Sequence, residues 1–538
     1  MIRRIWQDLN LPNPRVTARM LVARGRSRGT GIWALLAMAT VIASLIFVVL
    51  LRNAIRARSS SEPEALLAAR RNARPRQRST SPVDAPGQFM TLDPTGTFLI
   101  NSITEKPVFI TGDSAWSLIT QVDDGDVRVY LSDRGARGFN YIWCGAADNY
   151  YQSHAPKNFF GDAPFDGADF TNENPKYWEH VDRVIQQAAA YGITVALDPG
   201  FVGLTSPGGY LSSYLQSSDD VVTAYGAFLG GRFKSAPNLV WVIGGDVDPA
   251  TGVVPKLTDL ANGIRSKDTV HLIVAEGQPQ AAAMDTFAGL TWMDLNWLYF
   301  HTQNVLHEVP ANYTRLPFLP PFLGEGWYEN EHGISELELR EQGYWAVLGG
   351  AYLGNAGFGN NPIWYFNGGP DAKPGEPSWK GQLDSPGSRG QSVLGKLFRS
   401  REHWKLVPDL DHTVMTEGFD SRGFLSFTRE ALRSLAYKIP YRLGSASSVA
   451  ARTSDGQTIL CYVPNGSAAT ITINMTKITD PESSAKGWWF NPRDGSATLI
   501  GTFSSSGARR FTPPDSHDWV LVLDSESAGL PPPGSADL

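Results

Sequence analysis

Cysteine is nearly absent from these 538 residues: only Cys144 and Cys461 occur. They lie far apart in segments of different character, so a disulfide framework is excluded and two buried free thiols are expected. The same scarcity argues against a cysteine-based metal site. Outside the arginine-rich start of the chain, no HExxH pair, no clustered His/Cys spacing and no GxSxG elbow is present, and Gly112-Asp113-Ser114 is not one. The usual motifs of metalloproteases and serine hydrolases are therefore missing, and neither a metal nor a cofactor is expected. Excess positive charge is lacking too, with 47 basic against 53 acidic residues and a net charge of −6. That balance argues against nucleic acid as a partner of the folded part.

The basic residues are unevenly spread. No lysine precedes Lys106, and the chain before it is arginine-rich. Residues 31–51 (GIWALLAMATVIASLIFVVLL) carry no charge over 21 positions. At about 1.5 Å per residue they span about 30 Å, the thickness of a bilayer core. Seven arginines precede this run, from Arg3 to Arg28, against Arg52, Arg56 and Arg58 just after it. The pattern predicts an Arg-rich cytoplasmic segment over 1–30 and an uncleaved transmembrane signal anchor over 31–51. The rest of the chain is then extracytoplasmic, in a single-pass membrane protein. Residues 52–86 are polar, Pro- and Ser-containing and read as a disordered linker, and 526–538 as a disordered tail.

Between them, short apolar runs alternate with helical patterns. The runs are 107–113, 138–144, 192–200, 238–246, 271–277, 294–301, 321–326 and 362–369, near-continuously apolar as strands buried on both faces should be. Helical patterns fall at 126–138, 175–192, 218–233, 254–266 and 335–354. Eight strand candidates with intervening helices predict a (β/α)8 TIM barrel over 87–436. A doubly wound sheet competes poorly, because no phosphate-cradling turn follows the first strand. From 437 to 525 the runs are short, separated by turn residues and without helical period, which predicts an all-β sandwich.

Catalysis in such barrels sits at the C-terminal ends of the strands. The polar or aromatic residues ending the runs are Asp113, Trp143, Asp198, Asp246, Glu276, His301, Glu325 and Asn367. Acids are seldom buried without a reason, so several at strand ends point to chemistry. Glycosidic cleavage needs one carboxylic acid to protonate the leaving oxygen and a second carboxylate facing the anomeric carbon. Asp246 and Glu325 are the best pair, since strands four and seven face each other across a barrel mouth. Asp113, Asp198 and His301 are candidates for sugar contacts and Tyr328 for orienting Glu325, while Trp116 and Trp143 fit a sugar-stacking platform and the core equally well.

TGDSAWSL (111–118), LSDRGARGFNYIW (131–143), LVWVIGGD (239–246), LNWLYFHTQ (295–303) and LGEGWYE (323–329) resemble the apiosidase-like glycoside hydrolase family. HWKLVPDL (403–410) resembles the stretch closing its barrel. YVPNG (462–466), WWFNPRDG (488–495) and FTPPDSHDWVLVLD (511–524) are similar to the collagen-binding-type β-domain that commonly follows. The resemblance implies a hydrolase of plant or microbial polysaccharide-derived glycans, with an oligosaccharide or polysaccharide as substrate. It implies the Gly-Gly-Asp aspartate, Asp246, as general acid/base and the Gly-Glu glutamate, Glu325, as nucleophile of a retaining mechanism. Phe300 stands where many relatives carry Gly before the histidine, and the bulky Trp327 follows the glutamate turn. Those departures leave a catalytically inactive carbohydrate-binding surface protein as the alternative.

Overall fold

The computed structural model describes residues 87–203, 208–419, 447–464 and 470–538. The expected cytoplasmic segment at 1–30, the anchor at 31–51 and the whole linker at 52–86 lie outside them. Among the described residues no helix is long and apolar enough to cross a membrane.

Eight strands form the centre: β1 Ile110–Ser114, β2 Tyr141–Gly145, β3 Thr194–Asp198, β4 Leu239–Gly244, β5 Leu272–Glu276, β6 Asn296–Tyr299, β7 Pro321–Glu325 and β8 Gly354–Asn355. They pair in parallel in the order β5-β4-β3-β2-β1-β8-β7-β6. The ladder does not close between β5 and β6. There a two-residue strand, Ala281–Ala282, pairs antiparallel with β6 instead. The result is a nearly closed, mixed barrel of TIM-like architecture rather than a fully hydrogen-bonded (β/α)8 cylinder.

Helices of twelve or more residues follow each strand except β5: α1 Asp124–Ala136, α2 Pro175–Ala190, α3 Asp219–Phe233, α4 Val254–Arg265, α5 Thr302–Tyr313, α6 Glu336–Gly349 and α7 Pro386–Arg399. Local chemistry sets their starts. Asp123, Asn174, Ser218, Ser335 and Ser385 each accept a backbone N–H of the first turn, satisfying donors that have no helical partner. Ser335 and Glu338 complete a reciprocal capping box. Between α3 and α4, a Cβ at Gly226, Gly230 or Gly263 would come within 2.5 Å of the facing helix's backbone oxygens, so only glycine permits this approach.

The eighth strand is not 362–369. Residues 361–364 form a short helix, and Asn367 adopts φ +54° while bonding the Glu376 side chain and the Trp379 amide. The strand is Gly354–Asn355, hidden at the end of the pattern expected to continue α6.

The barrel interior is filled by aromatic rings. Trp364, Trp116, Trp143 and Trp297 form a continuous column, with centroid separations of 5.8, 5.4 and 5.3 Å. Gly324, just before Glu325, makes room for it: a Cβ there would lie 2.2 Å from the Trp297 ring.

The C-terminal module begins earlier than expected. Strand β9, Leu406–Pro408, pairs with β11, Val449–Thr453, so the stretch expected to close the barrel belongs to this module's sheet. With β10 Met415–Glu417, β12 Thr458–Val463, β13 Ile471–Asn474, β14 Ser484–Phe490, β15 Ala497–Ser504, β16 Ala508–Phe511 and β17 Trp519–Ser525, two antiparallel sheets form. One has the order β9-β11-β12-β17-β14-β15 and the other β10-β13-β16. Their facing sides bury Ile459, Cys461, Ile471, Ile473, Trp489 and Leu521 in a separate core. Both cysteines are free and buried.

The other face of the larger sheet packs on the barrel. Tyr462 stacks on Tyr344 of α6 at 4.8 Å, Arg340 pairs with Asp518, and the fully buried Arg401 grips Asp524 through two nitrogens at 3.0 and 2.7 Å. The tail is ordered rather than disordered. Arg401 donates to Pro531 O, Gly534 N donates to Ser400 Oγ, and Leu538 N donates to Arg399 O.

Candidate active site

The C-terminal ends of β4, β5 and β7 bring three carboxyl groups together. After β4 the chain turns through Gly244 (φ +118°), Gly245 (φ +85°) and Asp246 (φ +51°). A Cβ at Gly245 would sit 2.1 Å from the Phe201 ring, and one at Gly244 2.6 Å from Glu276 O. The two glycines thus let β4 hug its neighbours, and Asp246, in a region that aspartate tolerates better than most residues, is turned inward. One Asp246 carboxylate oxygen is buried with no hydrogen-bond partner. Burial pushes this carboxyl up to about 7, and the nearby charge of Glu331 adds to the shift.

Glu325 ends β7 and is 7% exposed. The Tyr328 hydroxyl donates to its Oε1 at 2.7 Å and lies 3.1 Å from Ser114 Oγ at the end of β1. Burial raises the Glu325 carboxyl; the hydrogen bonds from Glu276 and Tyr328 oppose that shift, while Asp246 and Glu331 reinforce it. Asp246 and Glu325 therefore lie close enough for their charges to interact. The Tyr328 hydroxyl thus contacts the Glu325 carboxyl directly.

The turn after Glu325 is fixed from outside. Gln342 of α6 accepts the Trp327 amide at 2.9 Å, and a Cβ at Gly326 would collide with the same side chain at 2.2 Å. Trp327 is thereby laid flat on His301, ring centroids 3.7 Å apart. Burial, then the neighbouring His332, lowers the His301 imidazole to about 4, so it is neutral across the physiological range. The Trp327–His301 stack makes one aromatic wall. Tyr151, held by a turn whose amides bond Asp148, packs edge-on against Trp364 at 4.9 Å and makes another.

Other candidates are placed differently. Asp113 is fully buried, with Oδ2 accepting from Arg134 Nε at 2.6 Å and Tyr130 OH at 2.8 Å. It pins α1 to β1 and has no surface for a sugar. Trp116 and Trp143, at 0% and 2% exposure, belong to the interior column instead of an open platform. Asp198 is likewise fully buried, its Oδ1 accepting the Gly200 amide. Sequence reasoning missed Tyr299, Glu331 and the partly exposed Trp364. Glu276 was identified only as a strand-end acid; its direct contact with Glu325 became apparent only in three dimensions.

With this geometry in hand, known proteins supply a comparison. The profile of the apiosidase-like catalytic domain matches residues 94–405. The chain belongs to the apiosidase-like family of glycoside hydrolases. A second profile, described as "Putative collagen-binding domain of a collagenase", matches residues 442–524. No curated protein matches the sequence. One solved structure, described as a glycoside hydrolase, shares 23% identity at a TM-score of 0.67, over 82% of this chain and 97% of its own. Another, a glycoside hydrolase family 5 protein from Bacteroides vulgatus ATCC 8482, shares 22% at 0.66, over 81% and 93%. At these identities the likeness shows the fold of this apiosidase-like hydrolase, and its chemistry is argued from the site itself.

Proposed function

We propose that this apiosidase-like hydrolase cleaves glycosidic bonds with retention, using Asp246 as general acid/base and Glu325 as nucleophile. The observation that carries the reading is the pair's environment. Asp246 holds its proton to about 7, as an acid that must protonate a leaving oxygen requires. Glu325 receives hydrogen bonds that favour its ionised form. In the first step Glu325 attacks the anomeric carbon while Asp246 gives its proton to the departing oxygen. In the second, Asp246 takes a proton from water, which displaces Glu325 and keeps the original configuration. The Trp327–His301 stack, two residues beyond Glu325 in the chain, offers an aromatic surface to a sugar ring, and plant or microbial polysaccharide-derived glycans are the substrate class of this proposal. A tether at residues 31–51, holding the catalytic part outside the cytoplasmic membrane, completes the proposal.

A screen of the purified protein on aryl glycosides and pectic oligosaccharides tests it. The expected outcome is hydrolysis of at least one glycoside, abolished by Glu325→Gln and reduced by Asp246→Asn. Glycan binding with no hydrolysis by the unaltered protein would instead establish the non-catalytic alternative.

A further inference from the structure

Glu276 has no role in the mechanism just given, yet its setting is costly. It ends β5 with 0% exposure, and neither of its carboxyl oxygens meets a conventional donor. What it meets is the carboxyl of Glu325, at hydrogen-bonding range. Two carboxylates accept only, so the contact is a hydrogen bond only when one of them carries a proton. The groups facing Glu276 from the surrounding strands are Asp198 on β3, Asp246 after β4, Tyr141 on β2, Tyr299 on β6 and Tyr328 beside Glu325. All are acidic or phenolic, and no lysine or arginine is among them. A second negative charge there would be buried beside like charges without compensation.

Glu325 differs in one respect: it also accepts the Tyr328 hydroxyl, which Glu276 does not. The asymmetry assigns the shared proton. We infer that Glu276 is a positioning residue, held neutral, whose O–H donates to the Glu325 carboxylate and keeps the nucleophile ionised and aimed between attacks. Resting on the assignment of Glu325 as nucleophile, this completes a chain from Ser114 through Tyr328 and Glu325 to Glu276, spanning the ends of β1, β7 and β5. It also gives a purpose to the open ladder between β5 and β6, where Glu276 is the last residue of its strand.

Glu276→Gln and Glu276→Leu separate this role from simple packing. The glutamine amide is a permanent donor, and leucine fills similar volume with none. On whichever aryl glycoside the unaltered protein hydrolyses, Glu276→Gln is expected to keep kcat within a few-fold and leave the acid limb of the pH profile in place. Glu276→Leu is expected to lower kcat about 10- to 150-fold, the loss of one hydrogen bond to a charged group, with KM little changed. Its acid limb moves to higher pH, because Glu325 loses a donor that favours its ionised form. Equal effects of the two substitutions, or loss of rate with an unmoved acid limb, would overturn the inference. If instead Glu325→Gln retained activity, the nucleophile assignment itself would fail, an outcome read independently of Glu276.

Discussion

At the residue scale, the site is defined by buried carboxyls, of which Asp246 holds its proton well above the ordinary carboxylate range. Burial raises Asp246 to about 7, with Glu331 the next contributor. The rate should therefore fall on the alkaline side with an apparent pKa near that value, since the acid must be protonated to act. Removing the Glu331 charge lowers the Asp246 carboxyl, so Glu331→Gln should move the alkaline limb to lower pH; an unmoved or raised limb in kcat/KM profiles would contradict that cause. Asp246→Asn should cost about 10²- to 10⁴-fold in kcat/KM, less for glycosides with good leaving groups that need little protonation. Asp246 and Glu325 were legible in the sequence because each is an acid closing an apolar run. Glu276 closes one too, but its meaning depends on which carboxyl it faces, and that contact joins β5 to β7 only in three dimensions. Trp116 and Asp113 show the converse. A tryptophan that fills a barrel and one that carries a sugar look alike in one dimension, and an aspartate's arginine partner on the next helix is equally invisible.

Elements explain why the carboxyls stand where they do. Gly245 is required twice over, by its φ of +85° and by the Phe201 ring against it. Gly245→Ala should destabilise the protein by about 1–3 kcal/mol and displace Asp246, measurable as a lower melting temperature together with lost rate. A variant with native melting and native rate would show that the turn does not position the acid. Seven of the eight strands were readable because strands buried on both faces must be apolar throughout. The eighth escaped because Gly354–Asn355 is only two residues long and carries no apolar run. The missing pairing between β5 and β6 was likewise unreadable, since backbone hydrogen bonding leaves no mark on hydropathy.

On the scale of the whole molecule, barrel and β-module share a buried interface. Asp524→Ala would leave Arg401 buried and unpaired, at a cost of about 3–5 kcal/mol. Thermal unfolding should then begin with the module, and an unchanged melting profile would deny the interface that weight. The tail escaped sequence reading because its Pro- and Gly-rich composition matches a disordered segment, while its order comes from an acceptor on Ser400 and a donor on Arg401. Titration couples the site to global stability. Asp246 binds its proton more tightly folded than unfolded, so the contribution is complete below about pH 4 and is lost as pH rises through about 7. Glu276, Glu325 and Asp198 are raised in the same direction by burial.

The identity of the nucleophile is the centre of the account, and covalent trapping reads it directly. The protein, incubated with 2-fluoro analogues of the aryl glycosides it hydrolyses and then mapped by peptide mass spectrometry, should carry one glycosyl adduct, on Glu325. An adduct on Glu276 or Asp246, or turnover of the parent glycoside to a product of inverted configuration, would contradict it.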